Sequence, residues 1–287
     1  MGCTIENGCL EVQLSEIGAE LHSIKLDGEE RLWQADPAIW GKHAPVLFPF
    51  IARLRDGYYE LDGERRDIPT HGFCRTRPFQ EQLVDSSKAV FSTRFDNDTL
   101  ACYPFRFQLE IEFALEGPTL VKTHRIANLG DAPMPFEIGG HEAYATSCFS
   151  GGWHVQFEGI ESIQPYGMDE AGTLCLPKWD LPLPDGRLTK TPEELGIDTI
   201  MVEHVPNSRV TLAENEGSRS VTVEFADFDY LGIWTMAGKG ETGYLCVEPW
   251  STLPDGHFMP RDVFGKTGIQ VAQPGETRTL SYRMTFK

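Results

Sequence analysis

The sequence predicts an all-β protein, an antiparallel β-sandwich or barrel, and three observations carry that expectation. Apolar residues recur at every second position over several stretches, Asp-Gly pairs join short runs, and helical periodicity is scarce. Alternation of period two marks a strand with one face on a core, whereas a helix needs a period of 3.6. Asp-Gly supplies the positive φ angles of a two-residue hairpin turn.

Along the chain, "HSIKLDGEERLWQA" reads as two runs joined at Asp27-Gly28, and "YYELDGERRDIP" repeats the device at Asp62-Gly63. In "FRFQLEIEFALEG", Phe105, Phe107, Leu109, Ile111 and Phe113 alternate with polar residues until Ala114, and Leu115 continues the set. Val221, Val223 and Phe225 repeat the pattern, as do Leu280, Tyr282, Met284 and Phe286 at the end of the sequence. One short helical turn is expected at "TPEELG", with Thr191 as cap, Pro192 in first position, Glu194 closing a capping box and Gly196 ending it. The Pro-dense stretch 177–192 reads as a long surface loop. No Ser- or Gly-rich linker and no repeat divides the chain, so residues 1–287 are expected to form a single domain. All-β domains of this size are common, and such a length buries a large core without disulfides or metals.

Composition narrows the class of partner. The chain has 25 basic and 43 acidic residues, a net charge of −18. That balance disfavours phosphate backbones and anionic membranes, so neither nucleic acid nor a membrane is expected as a partner. The seven cysteines are odd in number and scattered, with no C-x-x-C pair, which signals neither a zinc site nor a disulfide framework. The opening "MGCTIENGCLEVQLSE" has no apolar core of a leader peptide, and Glu6 replaces the Ser or Thr of a myristoylation signal. No apolar run is long enough to span a bilayer. A reduced, cytoplasmic protein is the resulting expectation, as a monomer or homodimer.

Chemistry must then come from side chains at strand ends and loops. Four stretches stand out: "APVLFPFIARLRDG" (44–57), "THGFCR" (70–75), "GGHEAYA" (139–145) and "YLCVEPWSTLPDG" (244–256). They offer Arg53 and Arg55, His71, His141, and Glu248 with Trp250. Glu248 follows the apolar run Leu245-Cys246-Val247 and precedes Pro249, which is expected to stop the strand. A carboxylate at such a place is partly desolvated, which raises its proton affinity and suits it to general-base work. Taken singly, each stretch also has a plain structural reading. A histidine beside glycine can be a packing residue, a Glu before Pro a solvated strand end, and Phe73, Trp153, Trp234 and Trp250 core.

Taken in order, these motifs resemble the aldose 1-epimerase (galactose mutarotase) family, in particular a bacterial LacX-like branch. Arg follows a Pro-rich apolar run, then come His-Gly-Phe, Gly-Gly-His, Asp-Thr-Ile-Met and Glu-Pro-Trp, so that the resemblance covers the chain from about residue 8 onward. It implies a galactose mutarotase-like supersandwich, a large β-sandwich with the sugar site on a concave sheet face. It also implies interconversion of the α and β anomers of a free hexose through ring opening, rotation at C1 and closure. By similarity Glu248 would be the base for the O1 proton and His141 the acid for the ring oxygen O5, with His71 hydrogen-bonding near O5. Arg53 and Asp198 would bind hydroxyls and Trp250 would offer an apolar face. The resemblance implies no metal, nucleotide or redox cofactor, and a small-molecule sugar as the partner.

Two departures bear on the substrate. Glu142 follows His141 where many members have proline, and Asp56-Gly57 stands where many have Asn after the arginine. Pointing inward, Glu142 would raise the proton affinity of His141 and favour its acid form; pointing outward, the direction that alternation along a strand favours, it would be neutral to the chemistry. Three other functions compete with a neutral-hexose mutarotase. A hexose 6-phosphate mutarotase would draw on Arg53, Arg55 and Arg75 at the pocket rim. A non-catalytic carbohydrate-binding protein would not need an acid–base pair. A glycosidase would need two opposed carboxylates, of which only Glu248 is well placed.

Overall fold

The structure, a computed structural model, describes residues 2–239 and 242–287. Its largest element is a nine-stranded antiparallel sheet. At the centre of that sheet lie the ten-residue strands Phe107–Glu116, Thr119–Asn128 and Thr277–Phe286. The alternation read from the sequence is physical: Phe107, Leu109, Ile111 and Phe113 are fully buried, and Leu280, Tyr282, Met284 and Phe286 nearly so. A second, four-stranded sheet combines Ala143–Ala145, Tyr244–Trp250, Tyr230–Trp234 and Ile200–Glu203. Leu231, Ile233, Leu245 and Val247 on its back face share one apolar core with the nine-stranded sheet. This is a large antiparallel β-sandwich, as the sequence predicts.

Both Asp-Gly corners are two-residue hairpin turns, with positive φ at Asp27 and Gly28 and again at Asp62 and Gly63. The turn at "TPEELG" forms as a short 3-10 helix, Glu193–Leu195. Its reciprocal cap is made by the Glu194 amide donating to Thr191 Oγ1 (3.2 Å) and the Thr191 amide donating to Glu194 Oε2 (2.7 Å).

Two local expectations need correction, and one element was not foreseen. Residues 177–192 are not a free loop. Leu181–Pro182 pairs with Ser162–Ile163, and Arg187–Leu188 forms the edge strand of the nine-stranded sheet. Pro249 does not stop its strand, which runs on to Trp250; Pro249 sits opposite Leu231, and its carbonyl accepts the Gly140 amide at 3.2 Å. Finally, Asn97–Cys102 forms an α-helix that apolar periodicity did not reveal. It is held by a capping box between Asp96 and Thr99. No helix among the described residues is long and apolar enough to cross a membrane.

Candidate active site

The front face of the four-stranded sheet floors a cleft of about 630 Å³. All six residues singled out from the sequence, Arg53, His71, His141, Asp198, Glu248 and Trp250, line it. Arg55 does not. Its guanidinium bonds Asp255 Oδ2 (3.2 Å) and the Met259 carbonyl (2.7 Å), so it braces a loop rather than the rim. Asp56 is likewise taken up by an ion pair with Arg261.

Sheet register explains how His141 meets Glu248. Gly139 bridges Trp250 and Ala143 pairs with Cys246, which puts His141 directly opposite Glu248. Residues opposite each other on adjacent strands bring their side chains close on one face, and His141 Nδ1 lies 3.4 Å from Glu248 Oε1. Both side chains are almost fully buried. On the other side Glu248 faces Gly232, where a Cβ would stand 2.8 Å from the Trp250 ring. The indole therefore lies over the strand, and its N–H donates to Glu248 Oε2 at 3.2 Å. Trp250 thus holds the carboxylate as well as offering a ring face.

The double glycine before His141 is a matter of space. A Cβ on Gly139 would sit 2.7 Å from the Trp250 ring, and one on Gly140 would sit 2.1 Å from Tyr282 Oη and 2.3 Å from Glu142 Oε2. Glu142 does point away from the cleft, as strand alternation predicts. Its destination is the sandwich interior, where Lys122 Nζ lies 2.8 Å from Oε1 and both side chains are fully buried. Tyr282 Oη donates to the same oxygen. Glu142 is not neutral to the site, however: its negative charge adds to the burial of Glu248 in raising that carboxyl's proton affinity.

Electrostatics at the floor follow from burial. Desolvation holds the Glu248 carboxyl well above the usual carboxylate range, with Glu142 and Asp198 pushing the same way and the Trp250 N–H opposing them. Desolvation, with His71 and Arg75 nearby, holds the His141 imidazole well below its ordinary value. His71 is pushed down to about 3, chiefly by burial and then by the Arg75 charge, and so stays neutral at physiological pH. Its tautomer is fixed. The Ala52 amide donates to His71 Nδ1 at 3.1 Å, leaving the proton on Nε2. His71 holds this pose with φ of 64°, while the next residue, Gly72 at φ 67°, leaves no room for a Cβ, which would fall 2.1 Å from the Phe48 carbonyl.

Sequence reasoning missed part of the cleft. Trp40 stacks on His141 (centroids 5.0 Å apart, 24° between planes), and Trp234 meets the same imidazole edge-on at 5.3 Å. The tryptophan of "PAIWGKH" gives no periodic or motif signal, because its partner lies a hundred residues away. Lys42 is a further lining residue without a sequence signal, whereas Arg75 lines the cleft as the rim reading expects. Phe73, by contrast, packs against Phe48, Tyr103 and Phe107, so the core reading of that residue holds.

Comparison with known proteins agrees with this architecture. The profile of the family described as aldose 1-epimerase matches residues 2–284. The chain is 28% identical over 299 residues to the LacX protein of Lactococcus lactis subsp. lactis, in both its plasmid and chromosomal forms. The alignment covers 100% of this chain and 99% of each relative. A galactose mutarotase related enzyme from Lactobacillus acidophilus superposes with a TM-score of 0.93 at 27% identity, covering 100% of this chain and 97% of the other. A galactose mutarotase-like protein from Lactobacillus casei ATCC 334 gives 0.91 at 26% identity, with 100% of both chains covered. With its sandwich, its cleft and a match across nearly every residue, the chain belongs to the aldose 1-epimerase family.

Proposed function

We propose that the protein is a mutarotase that interconverts the α and β anomers of a free hexose. The observation that supports this most directly is the Glu248–His141 pair, 3.4 Å apart and buried at the floor of the cleft. Ring opening must take a proton from O1 and deliver one to O5, and both oxygens are bonded to C1. Acid and base must therefore be neighbours, which the cross-strand register of His141 and Glu248 provides.

In the forward direction Glu248 accepts the O1 proton and His141 gives one to O5, breaking the C1–O5 bond. The open aldehyde turns about the C1–C2 bond and the ring closes from the other face, with both transfers reversed. Burial favours one shared proton for the pair, because separated charges are costly there. The neutral pair and the carboxylate–imidazolium pair are tautomers of that one state, and the second is the form that starts the reaction. His71 Nε2–H donates near O5, while Arg53 and Asp198 take sugar hydroxyls. Each acid or base of this kind typically contributes about 10²–10⁴ in rate.

A hexose 6-phosphate is the second reading, and it rests on the cations of the rim. Lys42, Arg53 and Arg75 line the cleft and make no ion pair within 4 Å among the described residues, in a chain where acids outnumber bases; Glu20 acts on Arg75 only from farther off. Burial already disfavours the charge on Arg75, which an anionic group on the substrate would offset. Polarimetry on freshly dissolved α-D-glucose, α-D-galactose and their 6-phosphates tests both readings. Acceleration by wild type, lost in Glu248→Gln and His141→Ala, is expected. No acceleration with any sugar would reject the enzymatic reading, and a preference for the phosphates that Arg75→Gln abolishes would favour the second.

A further inference from the structure

Beside the cleft, outside the acid–base pair, two histidines and a carboxylate converge. Glu20, His22 and His43 each offer a donor atom, and these atoms lie within 4.8 Å of one another. The His22 and His43 rings are stacked, with centroids 4.4 Å apart and 19° between planes. The carboxylate is buried and fixed: Glu20 Oε1 accepts the amides of His43 (2.9 Å) and Ala44 (3.0 Å). Its second oxygen is left over for the imidazoles and lies 3.8 Å from His22 Nε2. Apart from this contact of His22 with Glu20, no hydrogen bond ties either ring among the described residues, and the His22 side chain is 42% exposed, so solvent reaches the group.

We propose that Glu20, His22 and His43 form a binding site for a divalent transition metal of the zinc class, with water completing the coordination. Two imidazoles and one carboxylate are a donor set that suits zinc and its neighbours better than calcium or magnesium, which prefer oxygen alone. Bonds of about 2.0–2.2 Å require the donors to draw together by roughly an ångström. Two half-exposed rings on an otherwise fixed frame can make that adjustment.

Two other groups of possible donors are less suited. His141, Cys246 and Glu248 belong to the cleft floor. In the group of Asp169, Cys175 and His257, both Asp169 oxygens are already engaged, one by the amides of Ala171 and Thr173 and the other by His257. Of the three groups, that of Glu20 joins a buried carboxylate to two imidazoles outside the cleft lining.

The site touches the cleft through its backbone. The His43 carbonyl accepts the Ala143 amide at 3.1 Å, two residues from His141, and the adjoining residues Trp40 and Lys42 line the cleft. Metal binding would therefore tether the segment that carries Trp40 to the strand Leu21–Leu26, on which His22 lies.

Isothermal titration of chelator-treated full-length protein with zinc chloride, repeated with cobalt chloride under visible absorption, tests the proposal. Wild type is expected to take up one equivalent that His22→Ala and His43→Ala each weaken at least about tenfold. Glu20→Gln is expected to weaken it as well. The histidine variants alter half-exposed side chains, and circular dichroism confirms their fold. If wild type and the double variant His22→Ala/His43→Ala bind zinc alike, whether because neither binds or because both use another group such as the exposed thiol of Cys148, the assignment is overturned. The result is independent of mutarotation, so it stands or falls apart from the function proposed above.

Discussion

Replacing Lys122 by methionine strands a charge in the middle of the sandwich. Lys122 and Glu142 are both fully buried, 2.8 Å apart, and the remaining donor to Glu142 is the Tyr282 hydroxyl. Glu142 Oε2 already has no hydrogen-bond partner in the protein. Removing one partner of a buried pair costs about 3–5 kcal/mol, because the other charge is left without compensation. Set against a total stability of about 5–15 kcal/mol for a typical domain, that is a large share. Methionine keeps the length and apolar body of the lysine stem, so the loss measures charge rather than a cavity. Urea denaturation followed by circular dichroism should show a lower midpoint with an unchanged slope. The double variant Lys122→Met/Glu142→Gln should return most of it, since replacing a whole buried pair by neutral groups is often close to neutral. A single variant that costs under about 1 kcal/mol, the range of exposed pairs, would refute the reasoning.

Other outcomes follow from the same geometry. Glu248→Gln should lower mutarotation by about 10²–10⁴ while leaving the melting temperature equal or higher, because it relieves a desolvated carboxyl. The activity should be bell-shaped in pH. The pair must hold one proton, so the acid limb marks entry of a second proton and lies below the ordinary histidine range, while the alkaline limb marks loss of the shared proton and lies above the ordinary carboxylate range. Trp250→Phe removes the N–H that favours the carboxylate, so the alkaline limb should move up by about one to two units, equivalent to a hydrogen bond to a charged group; a downward shift or none would contradict that role. Gly140→Ala should destabilise the fold by about 1–3 kcal/mol or more, the usual cost of overpacking, as read by the same urea titration.

The strand framework was legible because burial writes itself locally: Leu109, Ile111 and Phe113 announce their face by spacing alone. The hairpins at Asp27 and Asp62 were legible because their backbone angles restrict the residue types allowed. Pro249 misled because a proline without N–H still fits a strand where its carbonyl alone bonds the neighbour. Residues 181–188 misled because pairing with distant strands, not their own composition, makes them extended. Within the site, His71, His141 and Glu248 could be suspected from motif order. The direction of Glu142 followed from alternation, yet its partner Lys122 lies on another strand with nothing nearby in sequence to mark it. Trp40 and the Glu20–His22–His43 group were invisible for the same reason: proximity between segments that no local pattern connects.

The aromatic box around His141 has an optical consequence. Three of the chain's six tryptophans, Trp40, Trp234 and Trp250, line the cleft, and the first two contact the imidazole itself. A protonated imidazole drains the excited state of an adjacent indole far more strongly than a neutral one. Intrinsic emission should therefore dim when His141 takes up a proton and change again when a sugar displaces water from the cleft. The molecule carries its own lamp at the place where the proposed proton transfer would occur, so binding and that transfer can be tested without a label or a coloured substrate.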